Sequence, residues 1–318
     1  MAQSDRLKHA LNMLTTYEDT NLLKNHARQI SEDYRNGIGP EKRIVDDSDK
    51  AKAYAVSRMP ATYQSVYDSL KYVIEVTDIS ADSVIDVGAG TGASIYACTD
   101  LLQVRDITLI EREESMISIG KQLFSYDPFL SKAQWIKASV QEINTNHKYD
   151  LVTASYIMNE LCTEDMKKTT AKLWDITKKT LLIVEPGTPK GYGNIIVIRD
   201  MLLNKGAHIT APCPHADKCP MEKDDWCHFY CRVERTRLHK FLKGGEAPFE
   251  DEKYSFMAFS KEEKNLPLYR ILRHPKIYKG HVMLTVCSKQ GIQDMTVTKK
   301  EKERYRDVKK LKAGDTFY

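Results

Sequence analysis

From Ser83 onward, short apolar runs alternate with stretches of helical period, and this rhythm narrows the possible folds more than any other feature of the chain. The runs are SVIDVGAG, ITLIERE, QWIKAS, YDLVTASYI and TLLIVEPG, with helical segments such as SMISIGKQLFS and TEDMKKTTAKLWDITKKT between them. Strands that are apolar throughout are buried on both faces. Their alternation with crossover helices predicts an α/β fold with a parallel, doubly wound, Rossmann-like sheet over residues 81–200. Residues 1–80 read as an N-terminal helical region: Leu7, Ala10, Leu11 and Leu14 recur at helical spacing, as do Tyr63, Val66, Tyr67, Leu70 and Val73. The polar stretch NGIGPEKRIVDDSDK separates those helices, and Pro60 sits where a helix would start. Residues 201–290 form a Cys-rich and basic module that adds the last strands, around YSFMAFS and HVMLTVC. Residues 291–318 are a charged tail, expected to be an exposed helix or extension.

With 318 residues, 42% of them hydrophobic, the chain can bury one substantial core and a smaller appendage. A net charge of +4 permits a polyanionic partner without requiring one. No apolar run approaches the roughly 18 residues of a membrane span. The first residues lack the apolar core of a signal peptide and carry too many acids for a transit peptide, so a cytoplasmic location is expected. In that reducing compartment the seven cysteines are not expected to form disulfides.

The first strand ends in Asp86-Val87-Gly88-Ala89-Gly90-Thr91-Gly92-Ala93. Gly88, Gly90 and Gly92 let the backbone turn sharply and approach a ligand at the carboxyl edge of the sheet. Glu111 closes the next strand, where a carboxylate can accept both hydroxyls of a ribose. Gly88, Gly90 and Ala93 also satisfy a nicotinamide fingerprint, but Asp86 argues against it. A pyrophosphate at this turn would be repelled by an added carboxylate, whereas the ammonium and sulfonium of S-adenosyl-L-methionine (SAM) would gain from it. D-x-G-x-G-x-G is the usual class I methyltransferase form. Ser139, after the third strand, offers only a hydroxyl where an acid often meets adenine. Ser155, Tyr156, Asn159 and Glu160 face the methyl-acceptor side, although Tyr156 also reads as packing and Asn159 as a helix cap. S-Y-I-M-N-E-L lacks the N-P-P-Y clamp of amine acceptors. Cys162 reads as a packing residue, and no general base can be named.

Cys213, Cys219, Cys227 and Cys231 fall within nineteen residues, which predicts a metal centre. Intervals of five, seven and three residues do not match paired zinc knuckles, and prolines beside the cysteines suit an iron–sulfur cube held by a loop. His215 and His228 keep zinc as the alternative. A radical-SAM C-x3-C-x2-C signature is absent, since Glu234 stands at the third position. The centre would then serve to fold its loop. Two basic runs follow. RVERTRLHKFLK holds Arg232, Arg235, Arg237, Lys240 and Lys243, and RILRHPKIYKGH holds Arg270, Arg273, Lys276 and Lys279 with Tyr269 and Tyr278 interleaved. Charge runs are ordinarily solvated faces, but cations with aromatics suit a phosphate backbone and unstacked bases.

Together RMPATY, DVGAG, VEPG, CPH with C-x5-C, DWCHF, GGEAPFEDEK and KGHVMLTVC resemble the Rsm-type, methyltransferase-like assembly factors of the small ribosomal subunit, which occur in bacteria and mitochondria. The resemblance runs from about Tyr54 to Gly314. It implies a class I SAM fold, a four-iron, four-sulfur (4Fe–4S) cluster and small-subunit rRNA as partner. It also implies cluster ligands Cys213, Cys219, Cys227 and Cys287, with Cys231 held in reserve, although proximity in sequence alone would select Cys231. The expected function is therefore SAM-dependent action on small-subunit rRNA or in small-subunit assembly, by a monomer without membrane association. The alternatives are a non-catalytic factor that binds SAM and the cluster, and a small-molecule methyltransferase.

Overall fold

The computed structural model describes residues 4–16, 18–35, 45, 47–143, 147–222 and 224–317. Three helices lead: α1 (Asp5–Leu14), α2 (Thr20–Arg35) and α3 (Ser48–Thr77). The alternating region comes next as β1 (Ser83–Val87), α4 (Ala93–Leu101), β2 (Asp106–Glu111), α5 (Glu114–Ser125), β3 (Gln134–Lys137), β4 (Tyr149–Ser155), α6 (Thr163–Asp175), β5 (Thr177–Pro186) and α7 (Pro189–Asn204). Then come β6 (His208–Ala211), β7 (Phe229–Glu234), α8 (Arg237–Lys243) and β8 (Phe249–Ser260). The chain closes with β9 (Tyr269–Ile271), β10 (Lys276–Ile277), β11 (His281–Ser288), β12 (Gly291–Thr298), α9 (Lys302–Val308) and β13 (Thr316–Phe317).

Strands β1 to β5 are the five apolar runs, and they pair in parallel in the order β3-β2-β1-β4-β5. β8 then joins antiparallel to β5, with β6 and β7 antiparallel to β8. The result is a mixed, Rossmann-like sheet, whose reversal of strand order at β1/β4 opens a crevice at the carboxyl edge. Successive residues of β1 face opposite layers: Val84 packs with α3 and α4, and Ile85 and Val87 pack into the layer of α6 and α7. Asp86 therefore points into the first layer.

Several expectations change. α3 runs through Pro60 rather than starting there. Its cap is Asp47, whose side chain accepts from the Lys50 N–H at 2.7 Å. An internal proline costs about 3 kcal/mol, but α3 is buried along both flanks, with Ala51, Val56, Met59, Tyr63, Val66, Leu70 and Val73 all inside, and that burial outweighs the lost bond. Of the polar stretch before it, residues 36–44 and 46 lie outside the described residues.

Of the strands expected from residues 201–290, β8 (YSFMAFS) joins the main sheet with β6 and β7, whereas β11 (HVMLTVC) lies in a second sheet. The division after 290 cuts the β11–β12 hairpin. Segment 291–317 is no free extension either. β12 and β13 join β9, β10 and β11 in a second, five-stranded sheet, and Tyr305 and Val308 of α9 cover its core of Ile271, Val282, Leu284, Val286 and Val297. No helix among the described residues is long and apolar enough to cross a membrane.

Candidate functional site: a glycine turn and a four-cysteine cavity

The turn after β1 is shaped by backbone that only glycine tolerates well. Gly88 has φ +72°, and a Cβ there would stand 2.8 Å from Ile157 Cγ1. Gly92 has φ +89°, and a Cβ would stand 2.6 Å from Phe124. The N–H groups of Gly88 and Ala89 both donate to the Ile110 carbonyl of β2, at 2.9 and 3.0 Å, which pins the turn to the neighbouring strand. Glu111, at the end of β2, accepts from the Gly90 N–H at 2.8 Å. It also accepts from the N–H groups of Arg112 and Glu113 at 2.8 and 2.9 Å. Its carboxylate is thereby fixed beside the turn with acceptor capacity left over.

Asp86 is fully buried. Its Oδ1 accepts from the Thr153 hydroxyl at 2.7 Å, and its Oδ2 has no hydrogen-bond partner. Burial pushes its carboxyl up to about 7; the Thr153 and Ser94 hydroxyls pull it down and Glu111 adds to the rise. Two further acids share this environment. Glu160 is pushed up to about 7 by desolvation, eased by Arg112 and sharpened by Glu111. Glu185, at the end of β5, is fully buried and pushed up to about 8 by desolvation, although it accepts from the Met158 N–H at 3.0 Å. Acids crowded around a turn and outnumbering the nearby Arg112 make a place where a positively charged ligand gains.

Ser155 lies at this edge and shares a 2.8 Å hydrogen bond with Ser94. Ser139 instead caps its own 3-10 turn, accepting from the Gln141 N–H. Asn159 caps no helix; its carbonyl accepts from Lys190, and the cap of α6 is Cys162, exposed and not packed. Sulfur is a weak acceptor, but an exposed helix start tolerates it.

Sequence reasoning missed Tyr54 of α3, whose ring lies 4.0 Å from the position of a Cβ on Gly90 and whose hydroxyl is pushed up to about 12 by burial. Arg58, one turn on, lies 3.9 Å from Glu252 of β8. Tyr156 sits at φ +61° and donates to Ser65 of α3 at 3.1 Å. The motifs RMPATY and EDEK contain Arg58 and Glu252, but only the packing of α3 against β8 brings the two together.

The second place is a cavity beneath the far edge of the sheet, lined by Cys213 and Cys219 of the β6–β7 loop, Cys227 before β7, and Cys287 of β11. The loop is tied down from three sides. Arg199 of α7 donates to the carbonyls of His215 and Asp217. Trp226 Nε1 donates to the Gly187 carbonyl at 3.0 Å, and Ser255 donates to the Cys227 carbonyl at 2.9 Å. Burial pushes the Cys213 thiol up to about 12 and the Cys287 thiol up to about 11, with Arg270 pulling each back. His215 Nε2 lies 3.6 Å from Cys287 Sγ, whereas His228 turns to the Trp226 carbonyl.

Cys231 is on β7, 2% exposed and packed into the helical layer, away from the cavity. All seven cysteines are free. Among the described residues no three His, Cys, Asp or Glu side chains close to single-ion geometry. The four sulfurs line one cavity.

The basic residues divide. Arg270 is not available to RNA, because it is 4% exposed and donates to Cys227 Sγ at 2.8 Å, over the Phe229 ring. A basic residue inside a basic run reads as surface, but β9 turns this one inward beside Cys287, its partner in the antiparallel register. Arg232 pairs with Asp251 at 3.0 Å, Arg273 pairs with Asp225, and Arg235 donates to the Gly244 carbonyl. Arg237 and Lys276 are exposed and Lys240 half-buried. Lys276 adjoins Ile277 and Tyr278, both about half exposed.

Rsm22-cox11 tandem protein 2, mitochondrial, of Schizosaccharomyces pombe is 24% identical over 83% of this chain and 42% of its own length. Ribosome assembly protein METTL17, mitochondrial, of Homo sapiens is 22% identical over 73% of this chain and 54% of its own length. The chain thus spans about half the length of the curated relatives it matches. Among solved structures, magnesium protoporphyrin IX methyltransferase of Synechocystis PCC 6803 with bound SAM aligns over 77% of this chain and 98% of its own, at 14% identity and a TM-score of 0.43. The family model described as mitochondrial small ribosomal subunit Rsm22 matches residues 48–318, and the chain belongs to that family.

Proposed function

We propose that this protein is a SAM-binding, methyltransferase-like factor that acts on small-subunit rRNA during assembly of the small ribosomal subunit. The observation that carries the cofactor is the buried Asp86 with its unpartnered oxygen beneath a glycine turn, flanked by Glu111, Glu160 and Glu185. A dinucleotide pyrophosphate would push these raised carboxyls further towards their neutral forms and gain nothing from them, whereas a cationic sulfonium and ammonium would favour their ionised forms. Glu111 would accept from ribose hydroxyls, Gly88 to Gly92 would lie along the ligand, and Tyr54 would close the side facing α3. SAM supplies an electrophilic methyl group when bound. The chain's part is to position an acceptor and exclude water.

The ribosomal partner is inferred from the family and from METTL17, named for ribosome assembly. Arg237 and Lys276, with the exposed Tyr278, are the contacts we assign to RNA phosphates and bases. The four-cysteine cavity suits a 4Fe–4S cluster better than zinc. Four thiols line one cavity, and the intervals of five and seven residues between Cys213, Cys219 and Cys227 do not match the paired knuckles of structural zinc. When bound, the cluster supplies folding energy to the 212–228 loop, and its ligands would be Cys213, Cys219, Cys227 and Cys287.

A second reading, a non-catalytic assembly factor, is favoured by one feature. The Tyr156 hydroxyl at the acceptor side is engaged with Ser65 of the protein's own helix, and no N-P-P-Y clamp succeeds β4. Incubation with methyl-labelled SAM and purified small subunits separates the two. Label in rRNA supports catalysis; crosslinking to small-subunit rRNA without label supports the second reading; neither signal refutes both.

A further inference from the structure

A guanidinium buried in a protein interior needs an anion, because an uncompensated buried charge costs several kcal/mol. Arg270 has no carboxylate partner among the described residues. Its surroundings are the Cys227 sulfur at 2.8 Å and the face of Phe229 at 4.9 Å, and it is 4% exposed. Its neighbour across the β9–β11 register is Cys287. A second arginine reaches the same cavity from α7. Arg199 is 1% exposed, holds the cysteine loop through two carbonyls, and keeps its Nε–H buried without a partner. Its one carboxylate partner, Asp200, is largely exposed and so balances it poorly. Two buried cations therefore face four thiols, with too little negative charge among the side chains to balance them.

We propose that Arg270, assisted by Arg199, is a positioning residue that balances the negative charge of the thiolate-ligated centre and thereby sets its retention and reduction potential. The inference rests on the cluster reading above. A 4Fe–4S cube with four thiolates is a dianion when oxidised and a trianion after taking up one electron. A fixed cation donating to a ligand sulfur favours both states over free thiols, and the trianion more than the dianion. Arginine suits the task, since its planar fork stays protonated and can donate to more than one sulfur. Phe229 beneath it holds the plane in place.

The test uses the full chain, loaded anaerobically with ferrous iron and sulfide. Iron and sulfide content, the rate of iron loss to a chelator, and the midpoint potential in a dithionite titration are measured for wild type, Arg270→Met, Arg270→Lys and Arg199→Gln. The expectation is that Arg270→Met loses iron at least tenfold faster. At a fixed potential its reduced-to-oxidised ratio should fall by about tenfold, a downward shift of about 59 mV for a one-electron couple. Arg270→Lys, which keeps the charge, should fall between Met and wild type, and Arg199→Gln should shift in the same direction as Met. Circular dichroism of the unloaded proteins reports folding, and if Arg270→Met does not fold, the lysine and Arg199→Gln proteins decide. Loaded variants with wild-type potential and wild-type iron loss would overturn the proposal. A wild-type protein that takes up neither iron nor sulfide would instead overturn the cluster reading beneath it.

Discussion

Replacing Asp86 by asparagine tests the charge balance of the glycine turn in isolation. The folded protein holds this carboxyl at about 7, against 3.8 when unburied. Below pH 3.8 both states are protonated and Asp86 contributes nothing. Between 3.8 and about 7 the unfolded chain releases its proton first, so stability falls as pH rises; above 7 the loss is constant. A rise of that size corresponds to about 4 kcal/mol at about 1.4 kcal/mol per factor of ten. Asparagine keeps the shape, and its oxygen can still accept from Thr153. The Asp86→Asn protein without ligand should therefore gain on wild type as pH is raised from 4 to 8, by roughly 4 kcal/mol in urea unfolding, or on the order of 5–10 °C in melting temperature. SAM should narrow that gap, since it favours the ionised wild type. An Asp86→Asn protein whose advantage is the same at pH 4 and pH 8, or which is less stable than wild type at pH 8, would refute the reasoning.

Three further outcomes are expected from the same geometry. SAM affinity of wild type, measured by calorimetry, should rise roughly tenfold between pH 6 and 8 as Asp86 ionises, and a flat profile would show that its charge is not felt by the ligand. Gly88→Ala should lose ~1–3 kcal/mol of stability from its positive φ and from the contact with Ile157. Adding Ile157→Ala should recover only the contact part, and full recovery would contradict a backbone cost. Arg237→Gln and Lys276→Gln should each flatten the salt dependence of RNA binding by roughly 0.7–0.9 in log–log slope, whereas unchanged slopes would remove these residues from the interface.

The parallel half of the sheet was legible because a strand buried on both faces leaves a largely apolar run, as β1, β2, β4 and β5 do; β3, at the exposed edge, was read from its place in the alternation. The glycine turn was legible because Gly88 and Gly92 occupy backbone that other residues adopt only with strain. The chain beyond β5 was harder to read. β8 reads as a strand, but nothing local in YSFMAFS says that it enters antiparallel between β5 and β6; that is decided by pairing at long range. α3 was misjudged at Pro60, where packing of the surrounding residues overrides a local signal. Arg270 was misplaced for a similar reason: its charge and its basic neighbours read as surface, while its strand register turns it towards the thiols. Tyr54 carried no signal of its own, since it reads as helix scaffold, and Glu185 was visible in VEPG only as the end of a buried strand.

The most direct test of the account is the composition of the protein purified without oxygen, in wild type, Cys287→Ser and Cys231→Ser, with the bound RNA sequenced alongside. About four iron and four sulfide per wild-type chain are expected, with small-subunit rRNA attached. That content should be retained in Cys231→Ser and lost in Cys287→Ser. Zinc as the only metal, or equal loss in the two variants, would contradict it.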